Sequence, residues 1–344
     1  KNPPFDLDDP RKQRGVRLFV KRVLVMEDCE AILPQWLRFV RGLVDSDDLP
    51  LNVSRELLQE SSTLKTIKKQ VTKRVLDLLD EIAKDRPEDY KAVWSSFGRI
   101  LKEGLAVDPE WKERIAKLTR WPTTAGDELV SLDDYVARMK EGQDAIYYVT
   151  GESREALSGS PHLEALRARG FEVLLMTDAV DTWAAEGLGE HAGKKLVNAM
   201  RAEVKLPAEE EEKKKEAGKE LEPLVAAAKK VLDGRVRDVG VSSRLTESPA
   251  CLVLTGAAMP AHLEKLLARS GKELPKGQRN LELNPTHPAV KALAALAAKD
   301  ANDPKLADWV TLLYEQSLIS EGSPLDDPNG FARRVTALLT QAVA

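Results

Sequence analysis

Residues 144–177, DAIYYVTGESREALSGSPHLEALRARGFEVLLMT, give the plainest statement of fold in the chain. Both ends, Asp144 to Thr150 and Phe171 to Thr177, are short apolar runs that read as strands, with a helical stretch between them. Two strands joined by a crossover of that length predict a parallel pair, hence a small α/β unit. Just upstream, Ser131-Leu132-Asp133-Asp134 reads as a helix start, with Ser131 as cap and the aspartates in the first turn. Farther upstream, Leu64, Ile67, Val71, Val75, Leu78 and Ile82 recur at spacings of three and four, predicting a long amphipathic helix that stops before Pro87. More helix follows through Trp94, Phe97, Ile100 and Leu101 to near Gly104. At the beginning, Val16 to Met26 (VRLFVKRVLVM) reads as strand, with too little before it to make a sheet alone. Beyond residue 207 the composition turns to AEEEEKKKEAGKELE, a solvated run expected to mark a domain boundary. After it come a helix (Leu224 to Leu232), strands (Arg235 to Val241 and Cys251 to Leu254), and mostly helices to Ala344.

The bulk properties narrow the function classes. A length of 344 residues suggests two or three domains. A net charge of −4 and a pI near 5.8 argue against nucleic-acid binding, which calls for a basic face. No apolar run approaches the ~18 residues of a bilayer span. The chain opens Lys1-Asn2-Pro3-Pro4, without Met or an apolar signal region, so it reads as a fragment or a processed product. Cys29 and Cys251 are no disulfide framework and are expected to be buried thiols. His162, His191, His262 and His287 are scattered without ligand spacing, so no metal site is expected.

Several short motifs fail on inspection. Gly187-Leu188-Gly189-Glu190-His191-Ala192 fits the permissive dinucleotide pattern, but Asp181 to Glu186 before it reads as helix where a strand is required. Gly193-Lys194-Lys195 is no P-loop end, because Leu188 and Lys195 stand where Gly and Ser/Thr are needed. Asn52-Val53-Ser54 matches a glycosylation acceptor without a secretory context. The segment DSDDLPLNVSRELLQ, Asp45 to Gln59, is more informative. It reads as a polar loop, an extended piece and a helix capped by Ser54, with Arg55 in the first turn. A cation there opposes the helix dipole by ~0.3–1 kcal/mol, a local conflict of the kind that functional sites carry.

The longer run LRFVRGLVDSDDLPLNVSRELLQ (Leu37 to Gln59) closely resembles the middle-domain signature of the heat-shock protein 90 chaperones, of bacterial type. Further likenesses follow in order: Tyr147 to Thr150, Ser160 to Glu164, Gly170 to Leu174, and Leu283 to Pro288, so the resemblance covers essentially the whole chain. It implies a multi-domain α+β and α/β protein: the remainder of an α/β middle domain with its helical connector (1–125), a small α/β unit (126–207), a charged linker (208–222), and a mixed α/β C-terminal domain ending in a dimerising helical hairpin (223–344). It implies a cytoplasmic stress-response chaperone that uses ATP with magnesium, both held by an N-terminal domain absent here. No cofactor is expected in this fragment, which alone should not hydrolyse ATP. By the likeness Arg55 reaches the ATP γ-phosphate, Gln59 assists one turn later, and Asn52 shapes the loop. Unfolded client proteins would meet Trp183 and a helix face of Met259, Leu263, Leu266 and Leu267, for which core packing is the competing reading. Stripes of Leu306, Trp309, Val310 and Leu313, and of Phe331, Val335, Leu338 and Leu339, are expected to form a homodimeric four-helix bundle, or else to pack on their own domain. Two other classes stay open: a self-contained nucleotide-binding α/β enzyme, and a dimeric scaffold without client binding.

Overall fold

The computed structural model describes residues 15–27, 29, 31–49, 62–201, 216–256, 258–269 and 279–343. In chain order the elements begin with β1 (Arg17–Val20), β2 (Val23–Met26) and β3 (Leu43–Ser46), then helices α1 (Ser62–Asp85), α2 (Pro87–Val107) and α3 (Lys112–Leu118). Next are β4 (Trp121–Thr123), β5 (Gly126–Val130), α4 (Leu132–Ala137), β6 (Ile146–Thr150), α5 (Arg154–Ser158), α6 (Glu164–Ala168), β7 (Val173–Met176) and α7 (Asp181–Leu188). The remainder is β8 (Glu190–His191), β9 (Lys194–Asn198), α8 (Glu222–Val231), β10 (Asp238–Val241), β11 (Ala250–Leu254), α9 (Ala261–Arg269), β12 (Arg279–Leu283), α10 (Pro288–Lys299), α11 (Pro304–Glu321) and α12 (Pro328–Val343). The class is mixed α/β. Two compact units emerge: the first is Lys1–Trp121 with Glu128–Arg138 and Val180–Leu196, and the second is Pro122–Asp127 with Met139–Ala179 and Val197–Ala344.

In the first unit, the run expected as one strand is a hairpin. β1 and β2 pair antiparallel around Lys21 and Arg22, both left-handed at φ 49° and 66°. Such a turn normally takes Asn or Gly; here the backbone N–H of Arg22 donates to Asp45 Oδ1 at 3.2 Å, offering a local hold on the tip. β3 lies parallel on the other side of β1, with Arg17 opposite Leu43. Leu18 and Val20 are buried, whereas Val23, Leu24 and Leu43 are exposed. The α1 stripe is shifted from expectation: Leu64, Thr72, Leu76 and Leu79 are buried, and Leu78 is open. Pro87 does stand at the α1/α2 boundary, in the first turn of α2 with Glu88 and Asp89, where proline and acidic residues suit a helix start. α2 buries Tyr90, Trp94, Ile100, Leu101 and Leu105. Its Gly104 is there for clearance, since a Cβ would stand 2.5 Å from Ile115 and 2.9 Å from Trp36.

In the second unit, β6 and β7 form the expected parallel pair, Tyr148 opposite Leu174, and every residue of both strands is buried. Leu163, Leu166 and Phe171 pack with Val149, Val173 and Leu175 in one core. Strand β12 lies between β10, parallel, and β11, antiparallel. Helices α8, α10 and α11 bury Leu224, Val290, Leu306 and Val310 with Leu252 and Leu281 in a second core. Cys29 and Cys251, in separate units, are both buried thiols, and burial raises Cys251 well above its ordinary range.

Candidate functional site

Asn52, Arg55 and Gln59 lie outside the described residues. The chain leading toward them is held firmly against α2. Trp36 is buried and its indole Nε1 donates to Asp108 at 3.0 Å. Arg38 makes a two-pronged pair with Glu103, at 2.5 and 2.7 Å, and Phe39 stacks on Phe97 with ring centroids 4.7 Å apart. A forked guanidinium on a carboxylate fixes orientation as well as distance. β3 follows, and Asp45 at its end reaches back to the hairpin tip.

Trp183 lies on α7, whose length as helix excludes the dinucleotide geometry for Gly187 and Gly189. Ala184, Ala185 and Leu188 are buried while Trp183 stays 40% exposed. Two attachments set that orientation. In the first turn, Asp181 pairs with Lys102 at 2.8 Å, with side-chain exposures of 1% and 5%. The Lys102 ammonium also lies 4.1 Å from the centre of the Trp121 ring and 5.7 Å from that of Trp94. At the far end Gly187 lets α7 touch α2: a Cβ there would stand 2.5 Å from the Leu105 carbonyl oxygen. Sequence reading missed Lys102, although Trp94, Gly98 and Lys102 follow one another at four-residue spacing on the buried face of α2.

In the second unit, α9 begins at Ala261, so Met259 precedes it. Leu263 is buried, Met259 and Leu267 are half-buried, and Leu266 is 43% exposed. The Met259 set is therefore divided between core and surface. Leu306, Val310 and Leu313 of α11 are taken up by this chain's own core, with Trp309 packed at its edge. On α12, Phe331, Val335 and Leu338 are half-buried, and Leu339 is 62% exposed. A groove of about 80 Å³ between the helices is lined by Trp309, Leu312, Arg334 and Leu338 among others.

The Ser160 to Glu164 motif has a bracing role. The Glu164 carboxylate accepts the backbone N–H groups of Thr246, Glu247 and Ser248 at 2.6, 2.8 and 3.0 Å. Arg244 donates to the carbonyls of Ala199 and Arg201 and to Glu282. Beside it His162 is buried, lining a cavity of about 340 Å³. Burial, with nearby Arg244, pushes its pKa down from 6.5 to about 3. The unfolded chain therefore binds a proton near pH 6.5 that the native ring refuses until about pH 3. Stability must fall as pH drops through that window and gain no further loss below it, approaching about 1.4 kcal/mol per pH unit. Urea midpoints between pH 7.5 and 5 should decline more steeply for wild type than for His162→Gln; parallel declines would show that His162 is not the buried neutral group.

Among the described residues, no group of three or more His, Cys, Asp or Glu could hold a metal, and no helix is long and apolar enough to cross a membrane. A family model described as Hsp90 protein matches residues 1–344. Among curated relatives, a protein named Chaperone protein HtpG from Myxococcus xanthus is 54% identical, covering 100% of this chain and 53% of its own length. Proteins of the same name from Magnetococcus marinus and Alkalilimnicola ehrlichii are 48% and 47% identical, covering 98% and 99% of the chain and 53% of their own lengths. The chain thus spans about half the length of the curated relatives it matches.

Proposed function

The chain belongs to the Hsp90 protein family, and on that premise we propose that it is the middle and C-terminal part of a molecular chaperone that depends on ATP. The observation carrying this reading is the unbroken family match over residues 1–344. In the proposed layout, residues 1–125 and 126–207 form the middle region, 208–222 a linker, and 223–344 the C-terminal domain. ATP with magnesium binds in a nucleotide domain outside this chain. Arg55 extends its guanidinium to the γ-phosphate, where a planar cation offsets charge that spreads over the phosphoryl oxygens. Gln59 and Asn52 support it. This division of labour leaves the chain by itself without turnover.

Client proteins, in this proposal, are met by exposed apolar side chains, because unfolded chains share little besides apolar surface. Trp183 and Leu266 fit by their exposure; Met259 and Leu267 contribute partly, and Leu263 supports the helix from below. Replacing Trp183 and Leu266 by serine should abolish suppression of aggregation while leaving the oligomeric state intact. Undiminished suppression would favour the alternative of a plain dimeric scaffold.

Dimerisation is assigned to α11 and α12, with Trp309, Phe331, Val335, Leu338 and Leu339 offered to a second copy and Leu306, Val310 and Leu313 holding α11 to its own domain. A symmetric helical pair of this kind buries the same stripe twice. Leu339→Asp, at an exposed position, should shift the particle to half its mass at micromolar concentration in sedimentation, with circular dichroism unchanged. A particle of undiminished mass would remove α12 from the interface.

A further inference from the structure

The cavity of about 340 Å³ lies wholly within the second unit, walled by the end of β6, α5, β11, the start of α9 and the end of α11. Among the described residues, five buried side-chain polar atoms meet no hydrogen-bonding group, and three of them belong to this lining: Thr150 Oγ1, His162 Nδ1 and His262 Nε2. A buried polar atom without a partner costs free energy, so three around one cavity point to a ligand that satisfies them. The chemistry of the wall narrows its class. His162 is buried and neutral, and its other ring nitrogen donates to the Leu252 carbonyl, so Nδ1 presents a bare lone pair. Ser317 and Ser320 have spent their hydroxyl protons on the carbonyls of Leu313 and Gln316, which leaves them as acceptors.

Charge points the same way. Glu152, Glu155 and Glu321 line the cavity, and no Lys or Arg does so among the described residues. Lys265 answers Glu152 at 2.8 Å, but the one guanidinium of Arg279 is shared between Glu321 and Glu264, at 2.6 and 3.0 Å. Glu155 stands exposed at the edge. A phosphate or carboxylate would meet like charge and acceptors without donors; a cation rich in N–H groups meets what it needs. Leu157, Met200 and Leu252 supply apolar wall for a methylene chain between charged ends. We propose that this cavity binds a short aliphatic polyamine, one ammonium donating to His162 Nδ1 and Thr150 Oγ1 and a second meeting Glu155. A primary ammonium carries three donors, and His262 offers a further ring nitrogen from α9. The volume suits a small molecule of this kind.

The test titrates 1,4-diaminobutane and spermidine into the full-length protein by calorimetry, in wild type, His162→Gln, Thr150→Val and Glu155→Gln. Magnesium chloride and sodium succinate, at matched ionic strength, serve as a compact dication and a dianion of similar length. His162→Gln keeps an N–H for Leu252 while removing the lone pair, and Thr150→Val keeps the side-chain shape. The expected result is one polyamine per chain with a dissociation constant below about 1 mM. That constant should weaken about ten-fold in His162→Gln and in Thr150→Val, and about two- to five-fold in Glu155→Gln, whose side chain is exposed. Wild type that takes up no polyamine at millimolar concentration overturns the proposal, as does displacement by magnesium or uptake of succinate in its place. A constant unchanged in both His162→Gln and Thr150→Val overturns it too, by placing the polyamine elsewhere on an acidic surface. Should either buried variant misfold, Glu155→Gln decides, and an unchanged constant there counts against the site.

Discussion

In Lys102→Met, the first unit is expected to lose about 3–5 kcal/mol of stability, because the buried Asp181 carboxylate loses the ammonium that balances its charge. The pair is almost wholly withdrawn from solvent, at 5% and 1% exposure, so water can do little to take the ammonium's place. The ammonium also sits against Trp121 and Trp94, an attraction that methionine does not reproduce. Urea unfolding followed by tryptophan fluorescence measures the change, since Trp94 and Trp121 both report on this neighbourhood. Adding Asp181→Leu to Lys102→Met should restore most of the loss, because well-packed apolar replacements of a buried pair are often neutral. A single variant within about 1 kcal/mol of wild type would mean that the pair is open to solvent and that α7 is held by packing alone.

The second large effect concerns Arg55. In the full-length protein Arg55→Ala is expected to lower ATP turnover by about 10²–10³-fold, the range typical of removing one donor that meets charge developing in a transition state. KM for ATP should move little if the contact forms chiefly at the transition state. Arg55→Lys should rescue poorly, since an ammonium lacks the planar fork of a guanidinium. Turnover within a few-fold of wild type in Arg55→Ala would end the catalytic assignment while leaving the family membership untouched.

What could be read from the sequence depended on how local the deciding physics was. β6 and β7 were legible because both faces of each strand are buried, which writes the strand as an uninterrupted apolar run. The Ser131 cap was legible because its partner, the Asp134 N–H at 3.0 Å, lies three residues away. The Lys102–Asp181 pair was not, since its members are 79 positions apart and nothing in either segment names the other. The hairpin at Lys21 and Arg22 was missed for a different reason: two long cationic residues occupy a turn that usually announces itself with Asn or Gly. The Met259 stripe divided because helical spacing was extended back across Pro260, before the helix begins. The α11 stripe was seen correctly as apolar, but periodicity does not say whose core it fills, and Leu306, Val310 and Leu313 fill their own. For Arg55, Gln59 and Asn52, the reading rests on family likeness.

The complete burial of β6 and β7 bears on how the chain comes to be made. Parallel neighbours cannot zip together locally; the intervening crossover must first close, and such non-local pairing is slow. Until it closes, a nascent chain leaving the ribosome carries two sticky ribbons, IYYVT and VLLM, with neither face covered. During its own synthesis this protein is thus the sort of vulnerable polypeptide that chaperones exist to shelter.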